Sequence, residues 1–308
     1  MATQWQTFPI EFRGGLISNL SPLQHGTNAV GSATILQNFE ANKEGGYSKI
    51  RGYTKYSSTT VPGSGPILAL KVISSGRVVA ARKNGSNQTQ YYYSTGSSWT
   101  SMATSASTNG GKARHAEYNL DGDDKVIFVD GTNYPAIYNT SGNTMTFMTA
   151  ADSTDVSAAE HVAIFKNTAF YAKGNNIFFT APFSVDDFSA ANGAGVINVT
   201  DDITGLIVFR EQLIIFSRGK IHRLVGNTIA DFQLQPISLD IGCIKEDTIQ
   251  EVGGDIAFVG PDGIRLLSAT DRIGDFGLAV ASRPIQSETN QLFSSNTKFS
   301  SCVIRKKN

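Results

Sequence analysis

Short apolar runs rich in β-forming residues alternate with polar turns along most of this chain. One clear example is GDIAFVGPDGIRLL, residues 254–267. Pro261 presets the first central position of a β-turn, Asp262 offers a side-chain hydrogen bond, and Gly263 tolerates the positive φ that reversal of the chain needs. This stretch therefore predicts a β-hairpin.

The same arrangement recurs upstream of that hairpin. It is found in RVVAARKNGSNQTQYYY (77–93), KVIFVDGTNYPAIY (125–138), TAFYAKGNNIFFT (168–180) and QLIIFSRGKIHRL (212–224). The turn glycines are Gly85, Gly131, Gly174, Gly219 and Gly263, and they are separated by 46, 43, 45 and 44 residues. A nearly constant spacing of this kind indicates an internal repeat.

Each repeat contains strand patterns and no helical pattern. The predicted strands are ILALKVI, RVVAARK, QTQYYYS and SWTSMA; ARHAEYN, KVIFVD, PAIYN and MTFMT; HVAIFK, TAFYAK, NIFFTA and a diverged strand near GVINV; GLIVFR, QLIIFS, KIHRLV and DFQLQPIS; and TIQEV, DIAFV and GIRLL with a less regular segment to 282. One four-stranded propeller blade takes about 40 to 50 residues, whereas a β-helix turn takes roughly half of that. We therefore predict an all-β fold, a β-propeller of about six four-stranded antiparallel blades.

The two ends of the chain bear on the sixth blade. Extending the repeat forwards makes KFSSCVIRKKN (298–308) the start of a sixth unit, and extending it backwards reaches NFEANKEGGYSKIRGY. A single strand would leave its backbone groups unpaired. We therefore expect residues 1–60 to be an N-terminal extension whose strands from about 34 to 56 close the propeller of residues 61–308. If the chain is truncated, the partner would be residues absent from it.

Composition limits the classes of function. The chain has 26 basic and 26 acidic residues, so bulk charge predicts neither nucleic-acid nor membrane binding. Its start, MATQWQTFPIEFRGG, lacks the features of a signal peptide. No apolar run is long enough to span a bilayer. The two cysteines, Cys243 and Cys302, are expected to be buried free thiols.

No pattern points to catalysis or to a metal. The histidines are scattered without metal-ligand spacing: His25, His115, His161 and His222. The run NLDGDDKV (119–126) has the spaced aspartates of a calcium loop but no closing glutamate, so an Asp-Gly turn is the better interpretation. Asp186 and Asp187 are adjacent and would point to opposite faces of an extended chain. We expect no enzymatic activity, no catalytic residue and no cofactor.

Basic and aromatic residues are mixed in two segments. The candidate channel or assembly contacts are Tyr47, Lys49, Arg51 and Tyr53 in the first segment, and Arg218, Lys220 and Arg223 in the second. Such residues can contact phosphates and stack on bases. Alternation would place the first four on one face of a strand. The alternative is an ordinary polar strand face with Ile50 turned inward.

The first 60 residues carry a resemblance to a known group. The pattern GGLISNLSPLQHG (14–26) followed by GSATILQNFEANKEGGYSKIRGYTKY (31–56) resembles the opening of bacteriophage tail proteins of the head-to-tail connector or tail nozzle group, also described as packaged-DNA stabilisation proteins. The matching positions are Asn38, Phe39, Glu40, Glu44, Gly45, Gly46, Tyr47, Lys49, Arg51, Gly52 and Tyr53. The stretch 241–275 is similar to the propeller blades of that group.

The resemblance implies a structural part of the virion tail, made in the host cytoplasm. Several copies, six in such connectors, would form a ring around the channel that retains and releases the genome. The implied partners are the protein itself, other tail or connector proteins, and DNA that passes without sequence-specific binding. The resemblance implies no cofactor and no membrane. Related nozzles are longer than this chain, because they add domains to the propeller.

Two other classes of protein remain open. A carbohydrate-binding propeller, lectin-like or receptor-binding, would use aromatic side chains to stack on sugars, and QTQYYYS, SSWTS and NIFFTAPF offer such side chains, although not at one equivalent repeat position. A propeller hydrolase or lyase would place polar residues on its innermost strands. The apolar ILALKVI, HVAIFK and GLIVFR argue against that class.

Overall fold

The computed structural model describes residues 12–303 apart from positions 13, 22, 26–28, 30, 42–45, 109, 121, 123, 273–279 and 297. Its strands form six antiparallel sheets, of which four have four strands, one has three and one has two. The chain divides into two compact units, one of residues 55–249 and the other of residues 1–54 with 250–308.

The unit of residues 55–249 contains the four complete sheets. The first sheet has β3 (Ile67–Val72), β4 (Val78–Lys83), β5 (Gln88–Ser94) and β6 (Trp99–Thr108), and the second has β7 (Arg114–Tyr118), β8 (Lys125–Val129), β9 (Ala136–Asn139) and β10 (Thr144–Phe147). The third has β11 (His161–Phe165), β12 (Thr168–Lys173), β13 (Asn176–Phe179) and β14 (Gly195–Asn198), and the fourth has β15 (Ile203–Phe209), β16 (Gln212–Ser217), β17 (Ile221–Val225) and β18 (Gln233–Ser238). These bounds agree closely with the predicted strands.

Successive sheets of this unit pack face to face. Within each sheet the strands lie in chain order, and the first strands β7, β11 and β15 contact one another in turn. Apolar side chains fill the space between each pair of neighbours: Tyr91 and Phe128 between the first and second sheets, Ile127 and Tyr171 between the second and third, and Phe170 and Leu213 between the third and fourth. Burial of both faces explains why the second strands are the most apolar. The predicted all-β propeller is confirmed.

The repeat glycines occupy one structural position. Each lies at the reversal between the second and third strands of its sheet. Three of them have the positive φ that favours glycine: Gly131 (69°), Gly174 (57°) and Gly263 (140°). Asp262 makes a side-chain hydrogen bond, as expected, and its carboxylate accepts it from Arg265 Nε at 2.6 Å. Burial of Arg265, whose side chain is 2% exposed, requires that charge partner.

The second unit contains the remaining elements. These are β1 (Phe39–Ala41), β2 (Tyr47–Lys49), β19 (Gln250–Val252), β20 (Asp255–Gly260), β21 (Gly263–Leu266) and the helices α1 (Leu267–Arg272) and α2 (Gln286–Ser295). The fifth sheet is β19-β20-β21, so a helix follows where the sequence predicts a less regular segment.

The two ends of the chain were expected to close a sixth blade. A hairpin does form within residues 34–56, but among the described residues β1 and β2 pair only with each other, and residues 298–303 contain no strand. Instead, the N-terminal segment reaches the start of α2, where Ser18 N donates to Pro284 O at 3.0 Å and Asn19 Nδ2 donates to Arg283 O at 3.0 Å. Residues 304–308 lie outside the described residues. Closure of the propeller by residues 1–60 stays a prediction.

The two cysteines have different environments. Cys243 is buried, as expected, whereas Cys302 is exposed, so the expectation of two buried thiols is wrong for Cys302. The reason is that residues 298–303 join no sheet, and their side chains therefore have no facing strand to cover them.

Candidate functional site

The first group of predicted contacts is only partly on a strand. Strand β2 ends at Lys49, so Arg51 and Tyr53 follow it in irregular chain and the predicted common strand face is wrong. Tyr47 is half-buried, because its hydroxyl donates to the carbonyls of Gly15 and Gly31 at 3.1 Å each. Lys49 and Arg51 are exposed, and Tyr53 is 92% exposed.

The neighbouring positions also depart from the simple strand interpretation. Ile50 is 52% exposed, so it is not turned inward as the alternative required. The reason is the shortness of the hairpin, which pairs three residues on each strand, and no further strand of the described structure joins it to cover Ile50. Glu44 and Gly45 of the family-like pattern lie outside the described residues.

The second group of predicted contacts lies on the hairpin of β16 and β17. Arg218 is exposed in the turn, Lys220 Nζ donates to Thr200 Oγ1 at 2.8 Å, and Arg223 Nε donates to Gln235 Oε1 at 3.1 Å. These contacts are local to the third and fourth sheets. They leave Arg218 as the member of this group that is open to solvent without a bonded partner among the described residues.

The structure reveals an ion-pair cluster that the sequence did not indicate. Arg114, the first residue of β7, donates from Nε to Asp247 Oδ1 at 2.7 Å and from Nη2 to Glu246 Oε2 at 2.7 Å. Its Nη1 donates to the carbonyl of Glu160 at 2.9 Å. Lys112 Nζ lies 3.0 Å from Asp247 Oδ2. One guanidinium therefore joins the second sheet to the third sheet and to the segment that follows the fourth.

Burial makes this cluster electrostatically significant. The side chains of Arg114 and Asp247 are 18% and 17% exposed. Burial alone would raise the pKa of Asp247, but the hydrogen bond and charge of Arg114, followed by those of Lys112, outweigh it, and the pKa is lowered. Burial opposes the charge of Arg114 as well, yet its pKa is raised by the contacts with Asp247 and Glu246. Both groups are therefore ionised at neutral pH.

Contacts between neighbouring sheets recur one repeat apart. Lys71 on β3 pairs with Glu117 on β7 at 2.9 Å. The Arg114 contact with Glu160 O joins residues that are 46 positions apart, which is also the separation of Lys71 and Glu117. Lys166 pairs with Glu211 across 45 residues. Lys166 and Glu211 lie in equivalent two-residue turns of the third and fourth sheets. The repeat therefore sets the contacts between the blades as well as the strands within them.

The other chemical candidates behave as turn residues. Asp186 Oδ1 accepts from Ser184 Oγ at 2.8 Å, and Asp187 accepts from Ser189 N and Asn192 Nδ2. In residues 119–126, Gly122 N donates to Asn119 Oδ1 at 3.0 Å, although Asp121 and Asp123 are outside the described residues. Among the residues that are described, no three His, Cys, Asp or Glu side chains are grouped so as to hold a metal ion.

His161 provides a pH-dependent test of the cluster. It is 5% exposed, and burial followed by the charge of Arg114 lowers its pKa to about 3. The unfolded chain would take up a proton near the usual pKa of about 6.5. The contribution of His161 to stability is thus complete above that pH and is lost as the pH falls towards 3. We expect the free energy of unfolding to decrease by up to roughly 1.4 kcal/mol for each pH unit in this range.

Urea unfolding between pH 4.5 and 7.5 measures this effect. Replacing His161 with Gln removes the titrating group, so the variant is expected to show a shallower dependence on pH than the wild type, whatever its stability at neutral pH. Equal slopes for the two proteins would contradict the assignment of this pH dependence to His161.

The order of the sheets and the packing between them define this chain as a β-propeller protein. No family model matches the chain, and no curated protein matches it. Among solved structures, it is similar to PorZ, a surface component of the type-IX secretion system of Porphyromonas gingivalis (TM-score 0.48, 13% identity, 75% of this chain and 36% of that one). It is also similar to the Dos1 propeller (TM-score 0.43, 12% identity, 65% and 56%) and to a chain of the nidogen/laminin complex (TM-score 0.43, 8% identity, 66% and 77%).

The chain spans 31%, 31% and 57% of the length of the first three structures that it matches. At these identities and TM-scores they contribute nothing to an assignment of function. In the described part of the chain, every helix is too short or too polar to cross a bilayer.

Proposed function

We propose that this protein is a structural component of a bacteriophage tail, in the connector or nozzle, where it forms part of the channel that retains and releases the genome. The observation that carries the proposal is the N-terminal pattern NFEANKEGGYSKIRGY followed by propeller repeats. The protein acts in the virion as a ring of about six copies and contacts other tail proteins. It has no enzymatic activity and needs no cofactor.

The properties of the blades support a structural role. Arg114 and Asp247 satisfy each other within the propeller, and Lys71 and Lys166 are paired with carboxylates of the next sheet. Cations that are neutralised in this way bind phosphates weakly. Packed sheets held by such contacts form a rigid block, and a surface of balanced charge lets DNA pass without retaining it.

Exposed apolar side chains support contacts between copies. Strand β3 exposes Ile67, Leu70 and Val72, which are 48%, 58% and 61% exposed. Several large apolar residues on one strand are unfavourable in water and are typical of a surface that another protein covers. A neighbouring copy in the ring would cover this strand.

The exposed cations after the N-terminal hairpin provide a specific test. The change is Lys49→Glu together with Arg51→Glu. Both side chains are exposed and make no hydrogen bond or ion pair within the described residues, so we expect the free energy of unfolding to change by less than about 0.5 kcal/mol. Incorporation into tails, measured by quantitative immunoblotting of purified particles, is expected to fall several-fold.

The matched control is Lys55→Glu together with Lys298→Glu, which makes the same change of charge at two other exposed positions. It should assemble like the wild type. Equal incorporation of both double variants would exclude Lys49 and Arg51 as assembly contacts. A wild-type protein that stays monomeric and never enters tail particles would overturn the tail proposal itself.

A further inference from the structure

An open cleft of about 360 Å³ lies between the second and third sheets. Its floor is one face of the second sheet, and its wall is the loop of residues 183–186, which follows β13. The cleft borders the apolar interface between these two sheets, which includes Ile127 and Tyr171. None of the residues that the sequence singled out as channel contacts lines it.

Strand register explains why the floor is polar. Lys125 on β8 faces Asn139 on β9, and Asn139 faces Thr144 on β10. Two positions along the same strands, Ile137 on β9 faces Thr146 on β10. Directly paired residues share a face of a sheet, and so do residues two positions apart on one strand. These side chains therefore form two parallel rows on one surface, with the hydroxyl-bearing residues at the outer edge.

The wall of the cleft is held firmly by hydrogen bonds. Phe183 N donates to Asn167 O at 2.7 Å, Thr180 Oγ1 donates to Ser184 O at 2.7 Å, and Tyr171 Oη donates to Val185 O at 2.7 Å. The side chain of Val185 is buried, which anchors the loop in the core. The loop therefore presents its other side chains in defined positions.

Phe183 is an unusual residue in this loop. Its ring lines the cleft, and the residue is 65% exposed although an aromatic side chain gains by burial. Its φ is 62°, in the left-handed region that costs a non-glycine residue about 1–2 kcal/mol. An exposed aromatic ring and a strained backbone at one position indicate that the ring has a role other than folding.

Several polar groups around Phe183 are open to a ligand. Thr144 and Thr146 are exposed, and their hydroxyls make no hydrogen bond within the described part of the chain. Asn139 uses its Oδ1 to accept from Ser141 N, and Asp186 Oδ1 accepts from Ser184 Oγ. With respect to the residues that the structure describes, the amide donors of Asn139 and the second oxygen of Asp186 remain available. The cleft therefore offers an aromatic face together with hydroxyl, amide and carboxylate groups.

We propose that this cleft is a carbohydrate-binding site. One pyranose ring of a glycan places its apolar C–H face on Phe183, where the negative face of the aromatic ring attracts it. The hydroxyls of the sugar, which both donate and accept, bond to Thr144, Asn139 and Asp186. This inference is independent of the proposed role in a tail.

The electrostatics of the lining favour a neutral ligand. Lys125 and Asp186 are the charged residues that line the cleft, and their charges balance. A phosphate or a nucleotide would meet the repelling Asp186 as well as the attracting Lys125 and would gain no net attraction, and a drug-like apolar ligand would require a lining dominated by apolar side chains. An uncharged sugar satisfies the polar groups without burying an unpaired charge.

Saturation-transfer NMR on the full-length protein tests the proposal. The probes are glucose, galactose, mannose and N-acetylglucosamine, each titrated separately, with AMP as a charged comparison. At least one of the sugars is expected to give saturation transfer that reaches a plateau as its concentration is raised, and AMP is expected to give none.

Three variants assign the binding to the cleft. Phe183→Gly removes the ring and also relieves the positive φ, so it is expected to weaken binding by on the order of 10-fold without lowering the melting temperature. Thr144→Val removes one hydroxyl at constant shape and should weaken binding several-fold. Val196→Ala, at an exposed apolar position outside the cleft that is 57% exposed, should bind like the wild type.

Two results would overturn the site. One is the absence of saturation transfer to all four sugars in a correctly folded wild-type protein. The other is binding that is unchanged in both Phe183→Gly and Thr144→Val, which would place the sugar elsewhere. Transfer to AMP alone would show that the cleft recognises a charged planar ligand and would also contradict the proposal. None of these outcomes bears on incorporation into tail particles.

Discussion

Replacing Arg114 with Met is expected to lower the free energy of unfolding by about 2–4 kcal/mol, because the change leaves a mostly buried carboxylate without its main charge partner and with Lys112 as the remaining one. Asp247 is 17% exposed and loses two hydrogen bonds, from Nε at 2.7 Å and from Nη2 at 3.0 Å. The carbonyl of Glu160 loses a donor as well. Urea denaturation at pH 7 measures the effect.

A double-mutant cycle separates the ion pair from the loss of packing. Asp247→Asn alone should also destabilise, and the pair Arg114→Met with Asp247→Asn should cost less than the sum of the two single changes. Arg218→Met is the matched control, since Arg218 is exposed and unpaired in the described structure, and it should change stability by less than about 0.5 kcal/mol. Strict additivity of the two changes would contradict the coupling.

Replacing Phe170 with Ala is expected to destabilise the protein by about 3–5 kcal/mol, the usual effect of removing a buried aromatic ring. Phe170 is fully buried between the third and fourth sheets. Its ring centroid lies 6.2 Å from that of Phe165, 5.7 Å from that of Phe179 and 5.8 Å from that of Phe232. Phe165 and Phe179 lie in the third sheet and Phe232 directly precedes β18 of the fourth, so these rings cannot move together to fill the cavity.

Thermal unfolding compares this change with Phe183→Ala. Phe183 is the same residue type in the same repeat but is 65% exposed, so its removal should cost less than about 0.5 kcal/mol. Similar melting temperatures for the two variants would show that the third and fourth sheets do not share a packed core.

The strands could be predicted well because their signal is local. Apolar alternation and turn glycines depend only on neighbouring residues, and the repeat presents the same signal five times. The helix over Leu267–Arg272 was not predicted, because its sequence signal is not repeated elsewhere in the chain. It stands where a fourth strand would complete the fifth sheet, and a single irregular segment has no copies against which to compare it.

The candidate sites were harder to predict. Tyr47 was assigned to an exposed face, but its hydroxyl bonds to the carbonyls of Gly15 and Gly31, which are 32 and 16 residues away. Arg114 was overlooked because its partner Asp247 lies 133 residues further along the chain. A weak signal for Arg114 was present, since ARHAEYN is the one polar member among the otherwise apolar first strands of the complete sheets.

The sequence by itself determined the all-β class, the repeat of about 44 residues and the positions of nearly all strands, because these follow from periodicity and turn chemistry along a short stretch of chain. Only the tertiary structure decided which charges meet. Lys71 and Glu117, or Arg114 and Asp247, become neighbours through the stacking of whole sheets. The cleft beside Phe183 has the same origin, since its floor and its wall belong to different repeats and come together only when those repeats pack.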